Sequence, residues 1–240
     1  MGHEMIEIIP LTNLLLMLIP TVFVLIIYIK WQLDAKEASY SIARMLIQLT
    51  MIGYLLGFIL NAESGWVVFG TLSIMLFASA WIALRTVKKV RTQLLGLALV
   101  SILVGSGSVL LFIMLAVLNL DPWYDSRYMI PLGGMILANS MNCISLSMDR
   151  LLPELENGLS YEAARNKAFQ AALIPIINSL FAVGVVTLPG MMTGQILSGV
   201  DPLIAIRYQI VVMCMIFSSA GITTACFLFL SKRKINHLQN

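Results

Sequence analysis

Apolar residues in this chain gather in seven runs, separated by short connections that hold nearly every charged side chain. The runs cover 8–29, 45–60, 66–84, 94–118, 130–148, 173–197 and 208–230. A helix needs about 20 apolar residues to cross the hydrocarbon of a bilayer, so each run reads as a membrane-spanning helix. The second run is short unless 40–44 extends it, and the sixth is interrupted by Pro189-Gly190. The first run follows Glu4 and Glu7 instead of a basic segment and has no small-residue cleavage pattern before Lys30, which predicts a retained span and not a signal peptide. The expected fold is all-α: a polytopic membrane protein of about seven transmembrane helices, with 1–240 as a single membrane domain.

The charges orient that bundle. Lys30, Lys36, Arg44, Arg85, Lys88, Lys89, Arg91, Arg150, Arg165, Lys167, Lys232, Arg233 and Lys234 fall on one side of the alternating connections, and only Arg127 and Arg207 on the other. Cytoplasmic connections are enriched in Lys and Arg, so the N-terminus is expected outside and the C-terminus in the cytoplasm. Composition agrees with a lipid environment: 59% of the 240 residues are hydrophobic and 11% charged, against roughly a quarter charged in soluble domains. A net charge of +3 is too small to suggest a nucleic-acid partner; membrane lipid is the expected surroundings. Cys143, Cys214 and Cys226 form no CxxC pair and read as buried thiols.

Several chemistries have no residues to carry them. No Asp, Glu, Lys, Arg or His lies in the middle of a run, where a carrier coupled to protons or sodium would keep one. There is no Gly-x4-Gly-Lys-Ser/Thr loop for nucleotide phosphates, no H-E-x-x-H and no G-x-S-x-G, and His3 and His237 lie in the tails. The chain is therefore expected not to be an enzyme by itself. A transporter of this composition would need an external motor.

Two segments carry more information. The longest polar connection, 149–172, reads DRLLPELENGLSYEAARNKAFQAA. Ser160 is placed to cap a helix over 161–172, with Glu162 in the first turn where the helix dipole favours an anion. Ala164, Ala168 and Ala172 recur every four residues as a ridge of small side chains, while Arg165, Lys167 and Gln170 point elsewhere. The segment is either a docking place for a soluble partner or a plain solvated connector. The second segment, 188–208, holds Pro189, Gly190, Gly194 and Gly199, which weaken helix continuity at membrane depth as the broken helices lining substrate paths do. Met191 and Met192 offer thioethers to a soft cation or fill space between helices. Asn139, Asn142 and Ser145, one polar line in the fifth run after Pro131-Leu-Gly-Gly-Met135, serve either helix packing or a wet pathway. Small-residue spacings at Gly53/Gly57, Ser101/Gly105, Gly134/Ala138 and Gly221/Ala225 suit close helix crossings.

The stretches IPLGGMILANSM (130–141), ALIP (172–175), TLPGMMTGQILSGVDPLIAIRYQI (187–210) and ARMLIQLTMIGYLLG (43–57) carry a resemblance over nearly the whole chain. They resemble the membrane subunit of the Fet-type ABC transporters, the bacterial iron-export permeases with relatives in plant aluminium tolerance. The resemblance implies a multi-pass permease of the bacterial inner membrane that forms a homodimer and pairs with a separate ATP-binding subunit, which would bind ATP and Mg; no cofactor is expected on this chain. Glu162-Ala163-Ala164 is also similar to the EAA loop by which many ABC permeases touch their ATPases, with Ala168 where that pattern has glycine. The ATPase-coupling contact is accordingly expected at Ser160, Glu162, Ala163, Ala164 and Arg165 within 149–172. The translocation path is expected at Met135, Asn139, Asn142, Pro189, Gly190, Met191, Met192 and Gly194. The implied cargo is iron or another metal, with no metal ligands assigned. The competing reading is an ATPase-independent channel or a regulatory membrane protein.

Overall fold

The computed structural model describes residues 9–61 and 64–239. His3, Glu4, Glu7 and Ile8 lie outside them, as do the side chains of Lys88, Lys89 and His237. The described chain is helical throughout, without a strand, and six helices are long and apolar enough to cross a membrane. It falls into two compact units, Met1–Leu60 and Asn61–Asn240.

The first unit is a pair of helices, α1 (Thr12–Lys30) and α2 (Ala35–Leu60). Asp34 Oδ1 accepts the Glu37 amide at 2.9 Å and starts α2. Residues 40–44 are helical, so the short second run does extend to spanning length. Neither helix buries a residue within the unit, as an apolar surface facing lipid permits.

The second unit holds the core. It runs through α3 (Gly65–Ala83), a 3-10 turn (Arg85–Val90), α4 (Arg91–Val117), α5 (Ser126–Glu156), α6 (Tyr161–Ala182), α7 (Gly190–Leu197) and α8 (Pro202–Gln239). Lipid supplies no hydrophobic drive between helices, so close packing and interhelical hydrogen bonds must hold them. Small residues supply the first. Ala80, Ala83, Ala98, Ala164 and Ala168 are fully buried among Leu84, Leu94, Ile102, Ile144, Met148, Leu151 and Phe227. At Gly105, inside a π-helical turn of α4 (Leu103–Gly107), a Cβ would stand 2.6 Å from the Thr223 backbone nitrogen of α8, so the two backbones nearly touch. The Ser101/Gly105 spacing is thus an intramolecular crossing, whereas a Cβ at Gly53, Gly57 or Gly221 would meet open space. Buried polar links include Ser106 to Ser140 at 2.9 Å between α4 and α5, and the Cys143 thiol donating to Ala172 O at 3.2 Å between α5 and α6.

Three sequence expectations change here. The run at 173–197 is not one helix: α6 ends at Ala182, α7 begins at Gly190, and the break opens at Val183, six residues before Pro189. Gly184 causes the early exit, since its φ of +81° is a left-handed conformation that side chains with a Cβ avoid. Second, the polar connection at 149–172 holds more than the helix expected over 161–172. α5 continues through Glu156, and only 157–160 separate it from α6, which extends past Ala172 to Ala182. Third, Cys143 is buried as expected, but Cys214 is exposed and Cys226 half-buried, because these two lie on outward faces of α8.

Candidate functional site

Within the second unit, Arg91, Arg150, Arg165, Lys167, Lys232 and Lys234, all expected on one face of the membrane, lie where α4 and α6 begin and α5 and α8 end. Glu154, with 9% of its side chain exposed, lies between Arg150 at 2.6 Å and Lys167 at 2.9 Å, which ties the end of α5 to the start of α6. Lys234 Nζ donates to Gln93 O at 2.6 Å, joining α8 to α4. Arg91 stacks 3.5 Å over the Trp81 ring and donates to the Trp81 carbonyl through Nε and Nη2, closing the turn between α3 and α4. Arg127 and Arg207 occupy the opposite ends of α5 and α8.

The start of α6 sits in this cationic end. The Ser160 hydroxyl accepts the Ala163 amide at 3.4 Å as the helix cap. Glu162 and Ala163 are exposed and Arg165 is half-buried, its guanidinium donating to Asn166 Oδ1 at 2.9 Å. Ala164 differs from these four. It is fully buried, and the ridge Ala164, Ala168, Ala172 seats α6 on the bundle instead of facing outward. Glu162 Oε1 pairs with Lys232 Nζ at 2.6 Å, and that hydrogen bond holds its carboxyl below the usual range. Burial pushes the Tyr161 hydroxyl up.

At the far end of α6 the break borders a cavity of mixed polar and aliphatic lining. Gly184 N donates to Thr187 O, and the amides of Val185, Val186 and Thr187 all point at the Ala182 carbonyl, so the turn satisfies its own backbone where water is scarce. Pro189 then caps α7. Between this turn, α5, α6 and α8 lies a cavity of about 270 Å³, lined by Asn139, Pro175, Ile176, Ser179, Val183, Thr187, Pro189, Met213 and Ile216. Asn139 Nδ2 donates to Met135 O at 2.8 Å and Ser179 Oγ to Pro175 O at 2.9 Å. With these donors turned onto helix carbonyls, Asn139 Oδ1 and the Ser179 oxygen remain as acceptors. The wall is neutral, offering amide and hydroxyl oxygens, one thioether and aliphatic surface. It can hold a solute by coordination or hydrogen bonding, and it has no proton to transfer at neutral pH.

Of the expected path residues, the structure brings Asn139 and Pro189 into this wall, with Met135 behind Asn139. Gly190, Met191, Met192 and Gly194 ride on α7 outside it, and Asn142 is exposed on α5 one turn beyond Asn139. Ser179, Thr187 and Met213 were missed. Ser179 stands four residues after Pro175, a spacing that puts its hydroxyl on the Pro175 carbonyl, and this was the one signal available. A larger space of about 410 Å³ between α3, α4 and α5 is lined mainly by aliphatic and aromatic side chains, with Ser73, Ser106 and Ser108 among them.

Among the described residues, six helices long and apolar enough to cross a membrane, with a broken helical stretch beside a neutral cavity, mark a multi-pass all-α membrane protein. Residues 11–236 match the uncharacterised protein family UPF0014, and the chain belongs to that family. It is 32% identical to the probable iron export permease protein FetB of Escherichia coli (strain K12), over 83% of this chain and 81% of that one. It is 34% identical to Protein ALUMINUM SENSITIVE 3 of Arabidopsis thaliana, over 78% and 73% of the two chains. To the UPF0014 membrane protein slr1647 of Synechocystis sp. (strain ATCC 27184 / PCC 6803 / Kazusa) the identity is 33%, over 75% and 76%. No solved structure matches the chain.

Proposed function

We propose that this protein is the membrane subunit of an ABC transporter, exporting iron or another metal with ATP hydrolysed, in the presence of Mg, by a separate ATP-binding subunit. In this reading both helical units form one permease, two copies pair in the working complex, the basic end faces the cytoplasm, and 149–172 receives the ATPase. The observation that carries the reading is the continuity of α6. One continuous helix of 22 residues begins at the capped end where Ser160 and Glu162 are exposed and reaches the cavity through Pro175, Ile176 and Ser179. A rise of about 1.5 Å per residue makes it roughly 33 Å long, the thickness of a bilayer's hydrocarbon. A tilt imposed at the basic end therefore moves the cavity wall. The names of the relatives supply the cargo class, since one is called a probable iron export permease.

The test is copurification with a candidate ATP-binding cassette protein coexpressed with this chain. The pair is expected to form a complex whose ATP hydrolysis falls at least tenfold when residues 162–165 are replaced by a Gly/Ser linker. A complex and an activity that survive the replacement unchanged would remove the coupling assignment.

A further inference from the structure

The first turn of α6 is fastened to α8 by contacts that neither helix needs in order to form. Tyr161, 7% exposed, donates its hydroxyl to the Leu228 carbonyl. Lys232, four residues further along α8, reaches back over the same surface, its Nζ 2.6 Å from Glu162 Oε1 and 5.7 Å from the centre of the Tyr161 ring. Leu228 and Lys232 lie on one stripe of α8, so two neighbouring residues of α6 grip one turn of its partner. Lys232 is also the first charge after the apolar length of α8, where snorkelling keeps an ammonium available at the membrane edge. Met213 and Ile216, on the same unbroken helix, wall the cavity.

A glutamate at the start of a docking helix would ordinarily be offered to a cation of the partner. Here that charge is already answered within the chain. We infer that Glu162 is a positioning residue, latched to Lys232, that delivers displacement of the docking end to α8 and does not itself touch the ATP-binding subunit. The exposed Ala163 and Asn166 and the half-buried Arg165 are left to meet that partner. The inference rests on the proposal that 149–172 is the coupling segment.

A charge swap separates the alternatives. The full chain, with its ATP-binding subunit in lipid vesicles, is compared as wild type, Glu162→Lys, Lys232→Glu and the double swap, reading ATP hydrolysis and, for the chain alone in detergent, the thermal midpoint. Each reversal is expected to lower hydrolysis about fivefold or more and to lower the midpoint; the double swap should restore both to within about twofold. If the reversals prevent insertion, Glu162→Gln, Lys232→Gln and their double replace them. The latch then predicts that the second substitution adds almost nothing to the first. A double swap as inactive as Glu162→Lys, beside a Lys232→Glu variant at wild-type rate, would overturn the latch and give Glu162 to the partner. A wild-type chain that assembles no ATP-hydrolysing complex would instead overturn the coupling proposal, and the role given to the latch with it.

Discussion

Replacing Gly105 by alanine adds one methyl group where, of the described glycines, a Cβ would meet its neighbours most closely. The new Cβ would lie 2.2 Å from Thr223 Oγ1, 2.6 Å from Thr223 N and 2.7 Å from Thr223 Cα. A side-chain oxygen can rotate away, but a backbone nitrogen and a Cα cannot, so α4 and α8 must separate by close to 1 Å for ordinary contact. Overpacking of this kind costs about 1–3 kcal/mol, and the better helix propensity of alanine returns up to about 1 kcal/mol. A clash with backbone atoms falls in the upper part of that range, so the net loss is about 1–2 kcal/mol, or roughly 2–8 °C in thermal midpoint for a chain of this size. Two other glycines give the scale. A Cβ at Gly133 meets the movable Leu72 Cδ2 at 2.6 Å, so Gly133→Ala should change the midpoint little, while Gly96→Ala, in open space on α4, should raise it by about 2–3 °C. The assay is a thermal melt of purified protein in one detergent, followed by circular dichroism. Adding Thr223→Ala to Gly105→Ala removes the hydroxyl and the γ-methyl but leaves Thr223 N and Cα in place, and so should not restore the midpoint. A Gly105→Ala protein that melts with or above wild type, or one rescued by Thr223→Ala, would refute the close crossing.

Two further outcomes follow from the same geometry. Thr223 Oγ1 is buried without a hydrogen-bond partner, so Thr223→Val should be neutral or stabilise by up to about 1 kcal/mol in the same melts; a loss above about 1 kcal/mol would mean that the hydroxyl is bonded. Met213 lines the cavity and Met191 and Met192 do not, so Met213→Ala should slow ATP-driven metal flux severalfold while Met191→Ala with Met192→Ala leaves it within about twofold; the reverse order would move the path to α7.

The apolar runs made the spans legible, because a bilayer sets helix length and few charges enter it. The cap at Ser160 was legible too, since hydroxyl, acid and helix formers stand at the spacing a helix start requires. The position of the break was less so. Pro189 announced it, but the exit six residues earlier depends on Gly184 adopting positive φ, and glycine does so only where the fold asks. The ridge Ala164, Ala168, Ala172 was visible as a pattern without saying what it faces. Its inward seating follows from Cys143, Ile144, Phe227 and their neighbours, which lie far away in sequence. The same distance hides the cavity, whose wall draws on α5, the α6–α7 turn and α8, and the pairing of Glu162 with Lys232 across 70 residues. Sequence periodicity reports which face of a helix is special; only packing reports its neighbour.

The most direct measurement is metal flux across sealed vesicles that contain this chain with and without the proposed ATP-binding subunit, using ferrous iron as the probe and following the metal in the lumen over time. The account predicts movement only when both subunits and ATP are present, abolished by a hydrolysis-deficient ATPase. Equal flux through the chain alone, indifferent to ATP, would contradict it and make the protein a channel.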